Sequence, residues 1–209
     1  CIRDRYEFFS LWGKEDEKEI TADIEEDISF LMEQGFLTEK KKISSIKHYE
    51  TDTLKDLYMY NMGNVILQVT QNCNLRCEYC VYSGSYINRV HTNKRMSFET
   101  AVKTIDFLAA HSLNCNEVSI GFYGGEPLLE IELIKKAVSY AKEVFGEKKV
   151  NFNMTTNATL LNMDIADFLV QNDFNITISL DGPRNIHNKN RIFANSNKGT
   201  FDLIMENIA

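Results

Sequence analysis

The chain of 209 residues is 44% hydrophobic and 25% charged, with a formal net charge of -7 and two prolines. That is ordinary for a globular protein with room for one medium domain and a small one. An acidic balance of this size argues against a general nucleic-acid binder, and no apolar run is long enough to span a membrane.

The chain starts at Cys1 without an initiator Met and stops at Ala209 inside an apolar-periodic segment, so truncation is expected at both ends. Residues 1–50 differ in pattern from the rest. ITADIEEDISFLMEQGFL puts Ile20, Ile24, Ile28 and Leu31 on one helical face, and Gly35 suits the helix C-terminus. Phe36 and Leu37 restart an apolar segment, and TEKKK follows as a basic turn. A small winged-helix module has this layout near its wing; an N-terminal helical embellishment is the plainer reading. The stretch that follows, 51–63, reads as a linker.

From Asn64 a strand–helix alternation sets in. NVILQVT is a buried-strand run. SFETAVKTIDFLAAHS is a helix with Ser97 as N-cap and Phe98, Val102, Ile105 and Leu108 inward. EVSIGFY is the second strand. The helix after it carries Ile134, Ala137, Val138, Ala141 and Val144 on one face and ends at Gly146. VNFNMTTN is the third strand, followed by a helix holding Ile165, Ala166, Leu169 and Val170. FNITISL is the fourth strand, and GTFDLIMENIA opens a fourth helix. Four such units predict an α/β fold with a parallel sheet and right-handed crossovers. Such crossovers would curve the sheet into a barrel or an open doubly wound sheet; a full barrel of eight units takes about 250 residues, so a barrel over residues 64–209 would be partial or have its remaining units beyond Ala209.

Chemistry in such folds gathers at the C-terminal strand ends. Here those ends are QNCNLRCEYC (71–80), YGGEP (123–127), TTN (155–157) and SLDGP (179–183). Three of the five cysteines, Cys73, Cys77 and Cys80, share the first of these loops with spacing C-x3-C-x2-C. Clustered thiols do not suit a secreted disulfide scaffold; they suit a metal site in a reducing compartment, hence an expected cytoplasmic location. Soft thiolates select zinc, Cu(I) or iron–sulfur clusters. A structural zinc site needs a fourth ligand, for which His91 and Cys115 have no conventional spacing. A [4Fe–4S] cube on three cysteines leaves one iron open.

With all four strand ends assembled, the sequence resembles the radical S-adenosylmethionine enzymes, in particular the peptide-modifying branch with SPASM or twitch domains. The carrying residues are the C-x3-C-x2-C loop with Tyr79 before its last Cys, GGEP at Gly124–Pro127, TTNATLL, and SLDGPRNIHNKNR. The resemblance implies a partial (β/α)6 barrel, with Cys73, Cys77 and Cys80 holding a [4Fe–4S] cluster and S-adenosylmethionine chelating the open iron. It further implies that the backbone of Gly124, Gly125 and Glu126, with Pro127 closing the motif, meets the methionyl ammonium. Glycine lets backbone approach a ligand closely. Tyr79 would lie near the adenine, and Asn157, Ser179 and Arg191 would hold ribose or carboxylate. Two departures stand out. Asn188 occupies a position that is Asp in many relatives, and no Cys follows Cys115, where relatives carry a domain with auxiliary clusters.

The activity implied is reductive cleavage of S-adenosylmethionine to a 5′-deoxyadenosyl radical, which abstracts hydrogen from a ribosomally made precursor peptide and most directly yields a thioether crosslink. The implied partners are that peptide, its leader bound by the N-terminal segment, and a one-electron donor such as flavodoxin or ferredoxin, with no nucleic acid or membrane. An anaerobic sulfatase-maturing enzyme forming formylglycine is the nearest alternative. A non-catalytic zinc or redox-sensing module is the alternative of another class. Tyr82, Tyr86 and Phe122 read as core or pocket wall, Asp181 as a turn former, and Cys115 as a buried small residue on the opposite rim.

Overall fold

The computed structural model describes residues 17–34, 36, 48–83 and 90–209. The chain divides into two compact units, Cys1–Thr51 and Asp52–Ala209. In the first unit, helix α1 spans Glu17–Glu33. Ile24, Ile28 and Leu31 on its predicted apolar face keep 37%, 41% and 39% of their surface exposed. The winged-helix reading turns on Gly35 and residues 37–42, which lie outside the described residues, as does Tyr86.

The second unit is built on four strands, β1 (Asn64–Thr70), β2 (Glu117–Gly124), β3 (Lys149–Thr156) and β4 (Asn175–Ile178), all parallel and in the order β1-β2-β3-β4. The predicted α/β fold with a parallel sheet is therefore present. The main crossover helices are α3 (Phe98–His111), α4 (Ile131–Phe145) and α5 (Met163–Gln171). Their stripes pack on one face of the sheet: Leu67, Val69, Val118, Ile120, Phe122, Phe152 and Met154 meet Ile105, Leu108, Ile134, Val138, Ile165 and Leu169. Phe122 belongs to this core, its ring 6.3 Å from Phe152 and 5.8 Å from Phe174. Ser97 caps α3 by accepting from Thr100 N at 3.2 Å, and Gly146 ends α4 with φ 57°, a conformation costly for residues with a Cβ.

The structure corrects four readings. The linker 51–63 contains a helix, α2 (Leu54–Tyr60), tied to the end of α3 by Met62 N–H to His111 O and Asn114 N–H to Tyr60 O, both 2.9 Å. Phe98 is 40% exposed, and Ala101 takes its place in the buried stripe with Ile105 and Leu108. Val170 is 74% exposed, because the face of α5 turned to the sheet is narrow and ends with Leu169. The fourth strand is shorter than FNITISL, and a further helix, α6 (Arg184–Asn190), precedes α7 (Phe201–Ile208). Among the described residues no helix is long and apolar enough to cross a membrane.

Candidate active site at the C-terminal strand ends

The loop that carries the cysteines leaves β1 and is pinned by backbone on both flanks. On one flank, Gly125 N–H donates to Thr70 O at 3.0 Å and Glu126 N–H to Asn72 O at 2.9 Å. On the other, Arg76 N–H meets Ile192 O, Glu78 N–H meets Asn190 O, and Ala194 N–H meets Asn74 O, at 2.9–3.0 Å. The glycines of GGEP are there for this approach. A Cβ on Gly124 would strike the Thr70 carbonyl, and one on Gly125 would strike Asn72 O and lie 3.0 Å from Cys73 N. What the two glycines visibly admit is thus the thiol loop itself.

Cys73 and Cys80 are partly buried, Cys77 is buried, and none is in a disulfide. Cys73 Sγ accepts from Leu75 N at 3.4 Å and lies 3.9 Å from Asn157 Nδ2. Burial pushes the Cys73 thiol up to about 11, with Glu126, Cys77 and Cys80 adding to the rise, and burial also raises Cys77. Among the described residues no three Cys, His, Asp or Glu side chains converge tightly enough to hold an ion. The donor set fits an iron–sulfur cube in kind: three soft ligands on one anchored loop, which bind metal as thiolates. Each thiolate would bind a separate iron of such a cube, so the three need not meet at one point. Cys115 lies at the other end of the sheet, just before β2, and His91 is occupied with Ser83 Oγ at 3.0 Å.

Glu126 is buried side chain and all. Its carboxylate accepts from Leu128 N (3.0 Å), Thr156 Oγ1 (2.6 Å) and Asn157 N (2.8 Å), joining the end of β2 to the end of β3. Burial drives its pKa upward and the three donors offset only part of that. Pro127, also buried, opens the short 3-10 turn Pro127–Glu130, where a missing N–H costs nothing. Asn157 is locked by Nδ2 to Asn74 Oδ1 at 3.0 Å and by Thr159, whose N–H and hydroxyl both donate to Asn157 Oδ1. Ser179 is held by its N–H to Thr156 O at 2.9 Å.

The last strand end brings together residues the sequence reading kept apart. Asp181 accepts Tyr79 Oη at 2.7 Å on Oδ2, and Arg191 Nε and Nη2 at 2.9 Å on Oδ1. The Arg191 guanidinium lies 5.4 Å from the Tyr79 ring centre, within cation–π range. Asp181 is more than a turn former: it couples the thiol loop to the segment after α6. Behind it sits His187, fully buried, whose Nδ1 accepts from Asp181 N (3.3 Å) while Nε2 meets Thr200 Oγ1 (2.9 Å). Asn188 caps the start of α7 by accepting from Phe201 N at 3.0 Å, a structural post. Sequence reasoning missed Asp181, His187 and Asn74 as site components; the polar run SLDGPRNIH held the signal for the first two.

Burial, then the Arg191 charge, holds the His187 pKa below its ordinary 6.5 against the opposing pull of Asp181. A depressed folded value means that stability is present above the unfolded pKa and is lost as pH falls toward the folded one. Unfolding midpoints in urea are expected to drop below about pH 6.5, and His187→Gln should flatten that limb. An unchanged slope in the variant would place the titration elsewhere.

The Radical SAM superfamily matches residues 67–209. The chain belongs to that superfamily. Its members use a [4Fe–4S] cluster and S-adenosylmethionine. The chain is 35% identical over 153 residues to a cysteine-type anaerobic sulfatase-maturating enzyme of Clostridium novyi, covering 72% of this chain and 40% of that one. It is 24% identical over 201 residues to the radical SAM cyclopropyl synthase TigE of Paramaledivibacter caminithermalis, covering 89% of this chain and 42% of that one. Native anSMEcpe with bound AdoMet superposes with a TM-score of 0.62 at 28% identity, over 70% of this chain and 40% of that one. The chain thus spans less than half the length of these relatives.

Proposed function

We propose that this chain is the cofactor-binding part of a radical S-adenosylmethionine enzyme that modifies a polypeptide. The observation that carries the reading is the thiol loop clamped between GGEP and residues 190–194. Cys73, Cys77 and Cys80 would hold the cluster, which when bound supplies the electron for cleaving S-adenosylmethionine to a 5′-deoxyadenosyl radical. The amides of Gly125 and Glu126 are engaged by the loop, so an ammonium at GGEP would find carbonyl oxygens. Pro127 holds that turn. Tyr79, Asn157, Ser179 and Arg191 stand on the same rim and would position the rest of the cofactor. With Nε and Nη2 held by Asp181, Arg191 would meet a cofactor carboxylate through the other edge of its guanidinium. Oriented side chains and exclusion of solvent are what the protein contributes.

The proposed substrate is a ribosomally made precursor peptide, its leader bound by the N-terminal unit, and the bond formed is a thioether. The match to TigE supports a role for that unit, since its coverage is too large to fall within residues 52–209 alone. A second reading, maturation of a sulfatase, is favoured by the Clostridium relative and by anSMEcpe. A flavodoxin- or ferredoxin-type protein would donate the electron, in a reducing cytoplasm. The test is anaerobic incubation of full-length protein with iron, sulfide, reductant, S-adenosylmethionine and a Cys-containing peptide. Formation of 5′-deoxyadenosine is expected, and its absence sinks the enzyme reading. Loss of hydrogen with sulfur retained marks a thioether; loss of the sulfur marks formylglycine.

A further inference from the structure

Between the thiol loop and the end of β3, three side chains close a ring of hydrogen bonds. Thr159 Oγ1 donates to Asn157 Oδ1 at 2.7 Å, Asn157 Nδ2 to Asn74 Oδ1 at 3.0 Å, and Asn74 Nδ2 to Thr159 Oγ1 at 2.8 Å. Asn74 directly follows Cys73, while Asn157 and Thr159 follow β3. Asn157 and Thr159 are 5% and 7% exposed, so water competes little with these bonds. Ala158 between them takes φ 58°, a left-handed conformation that residues with a Cβ disfavour. That turn brings Thr159 back over Asn157, and its N–H also donates to Asn157 Oδ1, at 3.0 Å.

The ring fixes which way the Asn157 amide faces. A backbone N–H only donates, so the atom that meets Thr159 N–H is the amide oxygen, and the other is the NH2 group. One of its two hydrogens goes to Asn74. The other is left for Cys73 Sγ, 3.9 Å from Nδ2. Leu75 N–H donates to the same sulfur at 3.4 Å. In the metal-free protein the Cys73 thiol can itself donate to Asn74 Oδ1 at 4.0 Å; a thiolate has no hydrogen to give and only accepts. Hydrogen bonds to an ionised group are roughly twice as strong as neutral ones, so metal loading strengthens the role of Asn157 as donor.

We propose that Asn157 donates a hydrogen bond to the Cys73 thiolate of the assembled cluster, with Asn74 and Thr159 as its positioning residues, and that this bond sets how readily the cluster accepts its electron. The inference rests on the proposed role of Cys73, Cys77 and Cys80 as ligands. Hydrogen bonds to ligand sulfurs are among the influences that set a cluster's reduction potential. Reduction adds negative charge that spreads onto the sulfurs. A donor there stabilises the reduced form more than the oxidised one and raises the midpoint. Without it, a flavodoxin- or ferredoxin-type protein would reduce the cluster less readily.

The test uses full-length protein with its cluster assembled anaerobically and no S-adenosylmethionine, so that the potential is read without turnover. Electron paramagnetic resonance of the reduced cluster at a series of poised potentials gives the midpoint. Asn157→Leu should shift the one-electron equilibrium toward the oxidised cluster about threefold to tenfold, a midpoint lower by about 28–59 mV. Leucine also removes polarity beside the sulfur, so Thr159, which donates nothing to it, gives the sharper comparison. Thr159→Val loses the hydroxyl of the ring and should lower the midpoint in the same direction. Thr159→Ser restores the hydroxyl and should return the midpoint to the wild-type value. A merely structural role would lower the unfolding temperature of the metal-free variants and leave the midpoint in place. In wild type, asparagine labelled with nitrogen-15 at the side-chain amide alone should show a hyperfine coupling to the reduced cluster, and Asn157→Leu should lose it; the wild-type coupling and the Thr159 pair carry the test if Asn157→Leu does not load iron. No coupling in wild type, a coupling retained in Asn157→Leu, or wild-type midpoints in the loaded variants would each overturn the inference and leave the ligand assignment standing. If wild-type protein assembles no cluster, the ligand assignment falls and the inference with it.

Discussion

Cys77→Ala is expected to lose iron and S-adenosylmethionine cleavage together while the protein stays folded. The side chain is 9% exposed, and exchanging a buried thiol for a methyl costs about 1 kcal/mol. A domain with a typical stability of about 5–15 kcal/mol tolerates that. The cluster does not, because three thiolates are already the minimum that this loop offers and clusters depend on their cysteines. Iron content after anaerobic reconstitution should therefore fall at least about tenfold, with a small change in unfolding temperature. Cys115→Ala supplies the contrast. It also sits partly buried against the core, but at the opposite end of the sheet, so its iron content should match wild type. Iron retained by Cys77→Ala, or lost equally from both variants, would refute the ligand assignment.

The same loop shows what was legible in the sequence. Strand alternation, the Ser97 cap and the stop at Gly146 are local signals, and the structure contains each of them. The polar strand ends were legible as one rim because parallel topology puts them there. Phe98 and Val170 were misplaced because helical period gives a stripe but not its width; packing against the sheet selects Ala101 in place of Phe98, and on α5 the buried stripe stops at the predicted Leu169. The helix inside the linker is seven residues long, too short for its period to register. Gly124 and Gly125 were read as making room for a ligand. The chain they make room for, Thr70 for Gly124 and Asn72 for Gly125, lies far earlier in the sequence, and no local pattern reports such a contact. Asp181 was passed over for a similar reason: its bond to Tyr79 spans 102 positions.

That long-range bond leads to the second large effect. Asp181→Ala is expected to weaken S-adenosylmethionine binding about tenfold to a hundredfold without removing any group proposed to touch the cofactor. Asp181 holds two such groups at once, the Tyr79 hydroxyl and the Arg191 guanidinium, and His187 fixes its own backbone. Without the carboxylate, Arg191, whose side chain is 14% exposed, keeps its charge and loses its partner, and the Tyr79 ring loses its tether. The pair is near the surface rather than deep, so the cost in stability should be about 1–3 kcal/mol. Burial alone would raise the Asp181 carboxyl, but hydrogen bonds from Arg191 and Tyr79 outweigh it and hold it below its ordinary 3.8. A depressed carboxyl stabilises the fold above the unfolded pKa, and that contribution is lost as pH falls through the folded value. The stability gap between wild type and Asp181→Ala should therefore be full at neutral pH and shrink below about pH 3.8. Asp181→Asn keeps an acceptor but not the charge, and should fall between the two in cofactor affinity. Equilibrium dialysis with S-adenosylmethionine on the reconstituted full-length protein reads the first effect, and urea unfolding across pH reads the second. Wild-type affinity in Asp181→Ala would mean that Tyr79 and Arg191 need no positioning, and the coupling between the thiol loop and the last strand end would then be structural only.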